Sequence, residues 1–195
     1  MPVTVLLAAL VVATLILLLA LLMALWGIWR YNSLVQSRLR TSEAWSGIDV
    51  QLKRRSSLIP NLTETVRGYA QHEHAVFTEV AEARGALAKA VGPVASAIAD
   101  QSLTQALGRL MAVAENYPQL QAAAGFHELR EELRDAEEKI AYARQFYNGN
   151  VLAYNTGIRT YPGNLFARRF HFEPAAFFSA GEAANQDVKV SFGRE

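Results

Sequence analysis

The first 29 residues, Met1 to Trp29, contain no charged side chain and consist mainly of Leu, Val, Ala and Ile. A helix needs about 20 apolar residues to cross the hydrocarbon core of a bilayer, which is roughly 30 Å thick. The run exceeds that requirement, and Trp26 and Trp29 at its end suit the water–lipid interface. We therefore predict a transmembrane anchor over residues 1–29.

A cleaved signal peptide is the alternative interpretation of this run. Signal peptides have a basic amino-terminal region, a shorter apolar core and a cleavage site flanked by small residues. No Lys or Arg precedes the run, and "LWGIWRYNS" at its end is a poor cleavage site. An uncleaved anchor is therefore favoured.

Positive charge lies on one side of the run only, at Arg30, Arg38, Arg40 and the cluster Lys53-Arg54-Arg55. The positive-inside rule then predicts a single-pass membrane protein with its amino terminus outside and the following domain in the cytoplasm. The lipid bilayer is thus the first expected partner. A formal net charge of +1 argues against nucleic acid as another. The chain has no cysteine, which excludes disulfides, thiolate catalysis and cysteine-based zinc sites.

Apolar residues recur at heptad spacing after the anchor, which predicts a long helix packing one stripe against partners. One row is Trp45, Leu52, Ile59, Val66, Glu73, Val80 and Leu87, and the companion row is Ile48, Arg55, Leu62, Tyr69, Val76 and Ala83. Pro60 lies inside this helix, where proline removes a backbone donor and clashes with the carbonyl four residues earlier. We expect a kink or short break over Ser56–Pro60, with the heptad phase continuing across it.

Two further helices are predicted. One runs from about Leu103 to Tyr117, after a turn at Gly92-Pro93 and a cap at Asp100 or Ser102. The other begins near Phe126 and is closed by Tyr161-Pro162-Gly163. The predicted fold is all-α: an amino-terminal transmembrane helix, an antiparallel bundle of three to four long helices over 30–163, and an irregular tail over 164–195. The tail is aromatic and basic. In its segment "DVKVSF" polar and apolar residues alternate, which is typical of an extended strand.

The two heptad rows form the seam of the helix, where apolar residues are the rule. Two polar residues, Arg55 and Glu73, occupy positions in this seam. Each could make a buried polar interaction with the last helix, which sets helix register at a cost in stability. Exposure at the edge of the stripe is the simpler interpretation and is favoured. The basic run Lys53-Arg54-Arg55 is expected on a solvated helix face, and it could touch lipid only if the helix folds down towards the membrane.

Tyr-Asn pairs occur at Tyr31-Asn32, Tyr147-Asn148 and Tyr154-Asn155. The last two are seven residues apart and therefore lie on nearly the same helix face. Hydrogen bonding between helices is the favoured role, and a patch that binds a ligand or partner is the alternative.

The triplet His72-Glu73-His74 suggests a metal site at first sight. Two ligands on one helix face need i, i+4 spacing, whereas residues two apart point in nearly opposite directions. A metal site is therefore disfavoured. No phosphate-binding loop, nucleophile elbow or dinucleotide fingerprint occurs, so neither catalytic residues nor a cofactor are predicted.

Several sequence blocks over residues 29–172 together resemble the LemA family of bacterial membrane proteins. They are "RYNSLV", "IDVQLKRRSSLIPNL", "VRGYAQHE", "AENYPQL" and "IAYARQFYNGNVLAYNTGI" followed by "YP". The resemblance implies a transmembrane segment followed by a helical bundle, without an established enzymatic activity. It also implies a role in organising membranes, because a magnetosome-membrane protein belongs to the family.

The function predicted is a non-catalytic, membrane-anchored helical scaffold or interaction module that self-associates. The alternative is an accessory subunit of a membrane signalling or proteolytic system, docking on an unknown membrane protein through the tail "FARRFHFEPAAFF". The candidate structural or interaction residues are Arg55, Pro60, Asn61, Tyr69, Glu73, Tyr147, Asn148, Tyr154 and Asn155.

Overall fold

The computed structural model describes residues 2–179, and six helices account for most of them. They are α1 (Pro2–Arg67), α2 (His74–Lys89), α3 (Pro93–Ala114), α4 (Pro118–Gln121), α5 (Ala124–Arg159) and α6 (Gly163–Phe170). Residues 171–179 are irregular, and no strand occurs within 2–179. The predicted all-α fold with an apolar amino-terminal helix is confirmed. The tail over 164–195 was predicted to be irregular, and that prediction is wrong for its first part, which forms α6. The predicted extended "DVKVSF" lies outside the described residues.

The seam helix predicted from Trp45 to Leu87 is two helices, α1 and α2, joined by a turn over 68–73. Helix α1 ends at Arg67, and the turn is held by backbone bonds from Gly68 to the Glu64 carbonyl and from Ala70 to the Val66 carbonyl. The heptad pattern of apolar residues continues from α1 into α2, because each helix buries an apolar stripe of its own. The spacing of apolar residues therefore could not show that the chain reverses direction between the two helices.

Helix α1 continues through Pro60, so the short break expected over Ser56–Pro60 does not occur. Proline leaves the carbonyl of Ser56 without its usual helical donor. Arg84 of α2 supplies that donor, with its Nε 3.1 Å from the Ser56 oxygen. The helix therefore continues through Pro60 because a side chain of the neighbouring helix replaces the missing N–H.

Helix α3 begins ten residues before the predicted start near Leu103, and neither Asp100 nor Ser102 caps it. Its first residue is Pro93, whose fixed φ suits the first helical turn. The preceding Gly92 has φ +83°, a conformation that favours glycine, so the turn predicted at Gly92-Pro93 is confirmed. The alanine-rich stretch that follows has high helix propensity, which outweighs its lack of large apolar residues.

The described chain divides into two compact units. The bundle unit comprises residues 43–151 and 176–179, and the anchor unit comprises residues 2–42 and 152–175. In the bundle unit, α1 and α2 form an antiparallel pair, because Arg67 stacks 5.1 Å from the Phe77 ring while Arg84 reaches back to Ser56. Fully buried side chains of its core are Ile48, Ile59, Leu62, Val66, Val80, Leu103, Leu110, Leu120, Phe126 and Val151.

The anchor unit has a small core of its own, formed by Leu34, Tyr154, Ile158 and Ala167. Phe166, Phe172 and Ala175 pack against it. Helix α6 begins at Gly163, where a Cβ atom would collide with the backbone carbonyl of Gly157. Only glycine allows α6 to start so close to α5.

The amino-terminal part of α1 has the length and apolar composition of a membrane-spanning helix. Each large apolar side chain from Leu6 to Leu25 exposes at least 54% of its surface. A continuous apolar surface of this extent is unfavourable in water and favourable in the hydrocarbon core of a bilayer.

We predict that Arg84 and Pro60 are energetically coupled. Arg84→Ala should lower the free energy of unfolding by about 0.5–1.5 kcal/mol, because it leaves the Ser56 carbonyl without a donor. In a Pro60→Ala background the same change should cost clearly less, since alanine at this position restores the helical N–H. Urea unfolding of the four full-length variants in detergent micelles, followed by circular dichroism, measures the coupling. Equal costs in the two backgrounds would contradict it.

Candidate functional site

Arg55 lies at the centre of the bundle unit, with its side chain 2% exposed. Its heptad neighbours Ile48 and Leu62 are fully buried. The guanidinium Nη1 donates to Asp100 Oδ1 at 2.7 Å, and Nη2 donates to Glu137 Oε1 at 2.7 Å. One α1 side chain thereby connects α3 and α5, so the favoured prediction of an exposed Arg55 is wrong.

Thr104 completes this cluster one helical turn after Asp100. Its hydroxyl accepts a bond of 3.0 Å from Arg55 Nη1 and donates one of 2.9 Å to the backbone carbonyl of Asp100. Within the described residues, the buried Nε of Arg55 has no partner. Both terminal nitrogens of the guanidinium, Nη1 and Nη2, are thus bonded within the cluster.

The pKa of Asp100 is raised above its ordinary 3.8, because burial disfavours the carboxylate by more than the Arg55 guanidinium beside it stabilises the charge. A desolvation cost that exceeds the attraction is common for ion pairs in an interior. Removing one partner of the pair would leave the other charge buried alone.

The two cations before Arg55 have separate partners on the surface. Lys53 pairs with Asp49 at 2.6 Å within α1, and Arg54 pairs with Asp135 of α5 at 2.8 Å. The expectation that both lie on a solvated helix face agrees with their exposure. Three consecutive basic residues therefore serve three different contacts rather than one basic patch.

In the bundle unit, the pair Tyr147-Asn148 holds the tail. The Tyr147 hydroxyl donates to the Ala176 carbonyl at 2.7 Å. The Asn148 side-chain amide bonds both backbone groups of Phe178, donating to its carbonyl at 3.2 Å and accepting from its N–H at 2.9 Å. The Phe178 ring is buried beside Trp45, which also contacts the Tyr147 ring edge-on at 5.8 Å.

In the anchor unit, the pair Tyr154-Asn155 makes the same set of bonds. The Tyr154 hydroxyl donates to the Glu173 carbonyl at 2.9 Å. The Asn155 side chain bonds the carbonyl and the N–H of Ala175, each at 2.9 Å. Burial raises the pKa of both Tyr147 and Tyr154, so each hydroxyl keeps the proton that it donates.

The two pairs follow one rule: tyrosine bonds a tail carbonyl, and asparagine bonds the backbone two residues further on. We name these interactions the Tyr-Asn clamps.

The favoured interpretation of these pairs was hydrogen bonding between helices, but the bonded partner of both clamps is the irregular tail. The repeat of Tyr-Asn after seven residues was a visible signal of a periodic contact. Nothing in the sequence identified Glu173 to Phe178 as its partner, since all the tail atoms bonded by the clamps are backbone atoms, which every residue carries.

The other candidate residues lie apart from these sites. Asn61 is exposed on α1, and Tyr69 is 46% exposed in the turn between α1 and α2. Glu73 is half-buried just before α2, where its side chain makes no capping bond. Because the turn over 68–73 ends the seam, Glu73 is not an interior seam residue. No group of three potential metal ligands occurs within residues 2–179.

Sequence reasoning did not single out the carboxylates that hold Arg55. Asp100 was interpreted as a candidate helix cap, and Glu137 lies within the charged stretch "ELREELRDAEEK" of α5, a composition typical of a solvated helix face. The side chain of Glu137 is 51% exposed, so its position agrees with the pattern while one oxygen reaches inward. The one signal in the sequence was Arg55 itself, because an arginine at a seam position indicates that carboxylates lie near it in the interior.

We predict that Arg55→Met lowers the free energy of unfolding by about 3–5 kcal/mol at neutral pH, because Asp100 is left buried without a cation. The lost guanidinium held the pKa of Asp100 down, so in the variant this pKa rises further above 3.8. A raised carboxyl pKa favours the folded state below the unfolded pKa, and that benefit is lost as pH rises through the folded value. The deficit should therefore grow between pH 4 and pH 7.

Urea unfolding at several pH values measures this deficit, with Arg55→Met/Asp100→Asn as the matched control. The double variant has no carboxylate to leave unpaired, so most of the pH-dependent part of the deficit should disappear. A deficit of Arg55→Met that is independent of pH in both backgrounds would disprove the assignment to Asp100.

We also predict that each Tyr-Asn clamp protects one tail amide. Asn155→Leu should increase hydrogen exchange at the Ala175 N–H by about tenfold, the factor that corresponds to losing a hydrogen bond worth roughly 1.4 kcal/mol. Asn148→Leu should do the same at the Phe178 N–H. Hydrogen exchange read by nuclear magnetic resonance makes each variant the control for the other. Unchanged exchange at both amides would exclude the clamps.

Comparison with known proteins agrees with this architecture. The family model described as "LemA family" matches residues 44–192. Magnetosome protein MamQ 2 of Paramagnetospirillum magneticum is 29% identical, over 82% of this chain and 68% of that protein. Magnetosome protein MamQ of Magnetospirillum gryphiswaldense is 28% identical, with the same coverage. Protein LemA of Metamycoplasma hominis is 24% identical, over 83% of this chain and 74% of that protein.

The matched region contains Arg55, the α2–α3 turn and both Tyr-Asn clamps, and the apolar part of α1 precedes it. The resemblance drawn from the sequence blocks is confirmed. The chain belongs to the LemA family of membrane-associated helical proteins.

Proposed function

We propose that this protein is a single-pass, non-catalytic scaffold of the bacterial inner membrane that self-associates and contributes to membrane organisation. The amino terminus faces outward and the bundle unit lies in the cytoplasm, as the distribution of Lys and Arg around the anchor predicts. The observation that carries the proposal is an exposed aromatic face on α5. That face has no function within the chain's own fold.

The face consists of Tyr142, Phe146, Gly149 and their neighbours on the outer side of α5. Tyr142 is 74% exposed and Phe146 is 56% exposed, in a helix whose opposite side is buried in the bundle. With Gln145 and Asn150 they line an open groove of about 410 Å³. Exposed aromatic residues at this spacing are enriched at protein interfaces, because they bury a large area with few rotatable bonds.

Gly149 gives this face a self-complementary shape. A Cβ at Gly149 would meet no atom within 4 Å, so its small size serves no internal packing. Glycine within a helix costs roughly 0.5–1 kcal/mol relative to alanine. In a two-fold pair of α5 helices, Phe146 of each copy would fill the notch above Gly149 of the other. A second copy of this chain is therefore the occupant that we propose.

The non-catalytic part of the proposal rests on how the polar groups are used. The carboxylate of Asp100 and the hydroxyls of Tyr147 and Tyr154 are bonded within the chain. None forms a nucleophile–base pair facing a cavity, which an enzyme site would require. The role in membrane organisation is supported by relatives that carry the name of magnetosome proteins.

Docking of a membrane protein on the tail is the alternative, and the tail's own contacts weigh against it. In the bundle unit Phe178 is buried, and in the anchor unit the Ala175 backbone is bonded on both sides. A partner that binds this segment would first have to displace those bonds. The α5 face needs no such displacement.

The absence of cysteine makes a direct test of self-association simple. We predict that Gly149→Cys in the full-length protein, oxidised in native membranes, gives a disulfide-linked dimer, because the two-fold pairing brings the two positions together. Gly108→Cys is the matched control, since it is also an exposed helical glycine with open space around it. It should crosslink weakly.

Phe146→Ala in the Gly149→Cys background should reduce the dimer yield severalfold, whereas Tyr69→Ala, which removes an exposed aromatic ring elsewhere in the bundle unit, should leave it unchanged. Equal crosslinking at residues 108 and 149 would indicate random collision and would reject the interface. Crosslinking of Gly149→Cys that Phe146→Ala does not reduce would reject the proposed packing.

A further inference from the structure

Helix α6 and the end of the apolar run form an apolar groove within the anchor unit. The groove has a volume of about 340 Å³ and is lined by Ala24, Gly27, Ile28, Tyr31, Phe166 and Phe170. The Trp26 and Phe166 rings meet edge-on at 6.1 Å, and the Tyr31 and Phe170 rings meet edge-on at 4.8 Å. These contacts keep α6 beside α1, so the groove is a fixed feature of the unit.

The position of the groove along α1 identifies its surroundings. Ala24, Gly27 and Ile28 belong to the last turns of the uncharged run, and Arg30 is the first charged residue after it. The groove therefore lies where the hydrocarbon core meets the headgroups. Leu165 of α6 is 55% exposed and Phe170 is 49% exposed, so the apolar surface of α6 continues that of α1. A water-filled apolar groove at this depth is unfavourable.

Cations border the apolar surface. Arg168 and Arg169 are exposed on α6, with the Arg169 guanidinium 5.8 Å from the Phe170 ring. Arg30 approaches the start of α6, because a Cβ at Gly163 would lie 3.0 Å from an Arg30 guanidinium nitrogen. None of these three arginines forms an ion pair within the described part of the chain. An anionic headgroup would supply the missing counter-charge.

We propose that the α1–α6 groove binds a phospholipid of the surrounding bilayer, with an acyl chain against Gly27 and Phe166 and an anionic headgroup beside Arg168 and Arg169. An added Cβ at Gly27 would lie at ordinary contact distance, 3.7 Å, from the Phe166 ring, so the glycine lets that ring form one wall of the groove. The volume lies within the range of about 300–1,000 Å³ typical of small-ligand sites. Helix α6 is thus a second, lipid-facing element of the membrane anchor.

Native mass spectrometry of the full-length protein tests this proposal. The protein is released from nanodiscs that contain equal amounts of phosphatidylglycerol and phosphatidylcholine, and the lipids that stay bound are counted. We expect one retained lipid per chain, with phosphatidylglycerol at least fivefold over phosphatidylcholine. No retained lipid would overturn the site, and equal retention of the two lipids would overturn the anionic headgroup.

Substitutions in the groove assign the retained lipid to it. Gly27→Leu and Ala24→Leu fill the groove from two positions, and each should reduce retention at least fivefold. Leu22→Phe adds bulk on the opposite side of α1 and should leave retention unchanged. Arg168→Gln with Arg169→Gln should keep the lipid but remove the preference for phosphatidylglycerol.

Circular dichroism checks that each variant keeps its helix content. Because two independent groove variants are used, misfolding of one leaves the other informative. Undiminished retention in a folded Gly27→Leu or Ala24→Leu would place the lipid elsewhere. Equal loss in Leu22→Phe would show that retention depends on general belt lipids and would overturn the site.

Discussion

The bundle unit depends on one buried charge, the guanidinium of Arg55. Side chains of an all-apolar seam can slide by one heptad at little cost, because each leucine finds an equivalent neighbour. Arg55 removes that freedom, since only one register places Asp100 and Glu137 each 2.7 Å from its nitrogens. The raised pKa of Asp100 shows the cost of this arrangement: burial disfavours the carboxylate even with a cation beside it. The cluster therefore favours one helix register, and loss of either partner would leave a charge buried alone.

The position of the tail is also fixed by polar interactions, which here are hydrogen bonds rather than ion pairs. Each Tyr-Asn clamp bonds only backbone atoms of the tail, so it fixes the path of the segment without constraining most of its side chains. Phe178 is the exception, because it fills the space beside Trp45 and Tyr147.

The sequence predicted features that depend on local chemistry and missed those that depend on chain reversal. Composition and conformational preference determine the apolar run, the Gly92-Pro93 turn and the long helix α5, so these three features were predictable. The end of α1 at Arg67 was not, since the heptad rows continue through α2 after the chain turns back. The break expected at Pro60 was wrong for a similar reason. The hydrogen-bond donor to the Ser56 carbonyl comes from Arg84, 28 residues away in the chain. At the site, Arg55 and the Tyr-Asn pairs were conspicuous in the sequence, but their partners were not. Asp100 was a candidate helix cap, Glu137 is a surface glutamate, and the Tyr-Asn pairs bond only backbone atoms of the tail.

How the polar and apolar groups are distributed explains why association, rather than chemistry, is the function that we propose. The polar groups that the sequence made conspicuous are engaged inside the chain, in the Arg55 cluster and the Tyr-Asn clamps. Three apolar surfaces of the described residues stay open: the anchor, the groove beside α6 and the aromatic face of α5. Each favours a partner that removes apolar area from water, namely lipid for the first two and protein for the third. A chain that holds its tail and its register by internal bonds can present each of these surfaces in a defined local geometry, which is what a scaffold requires.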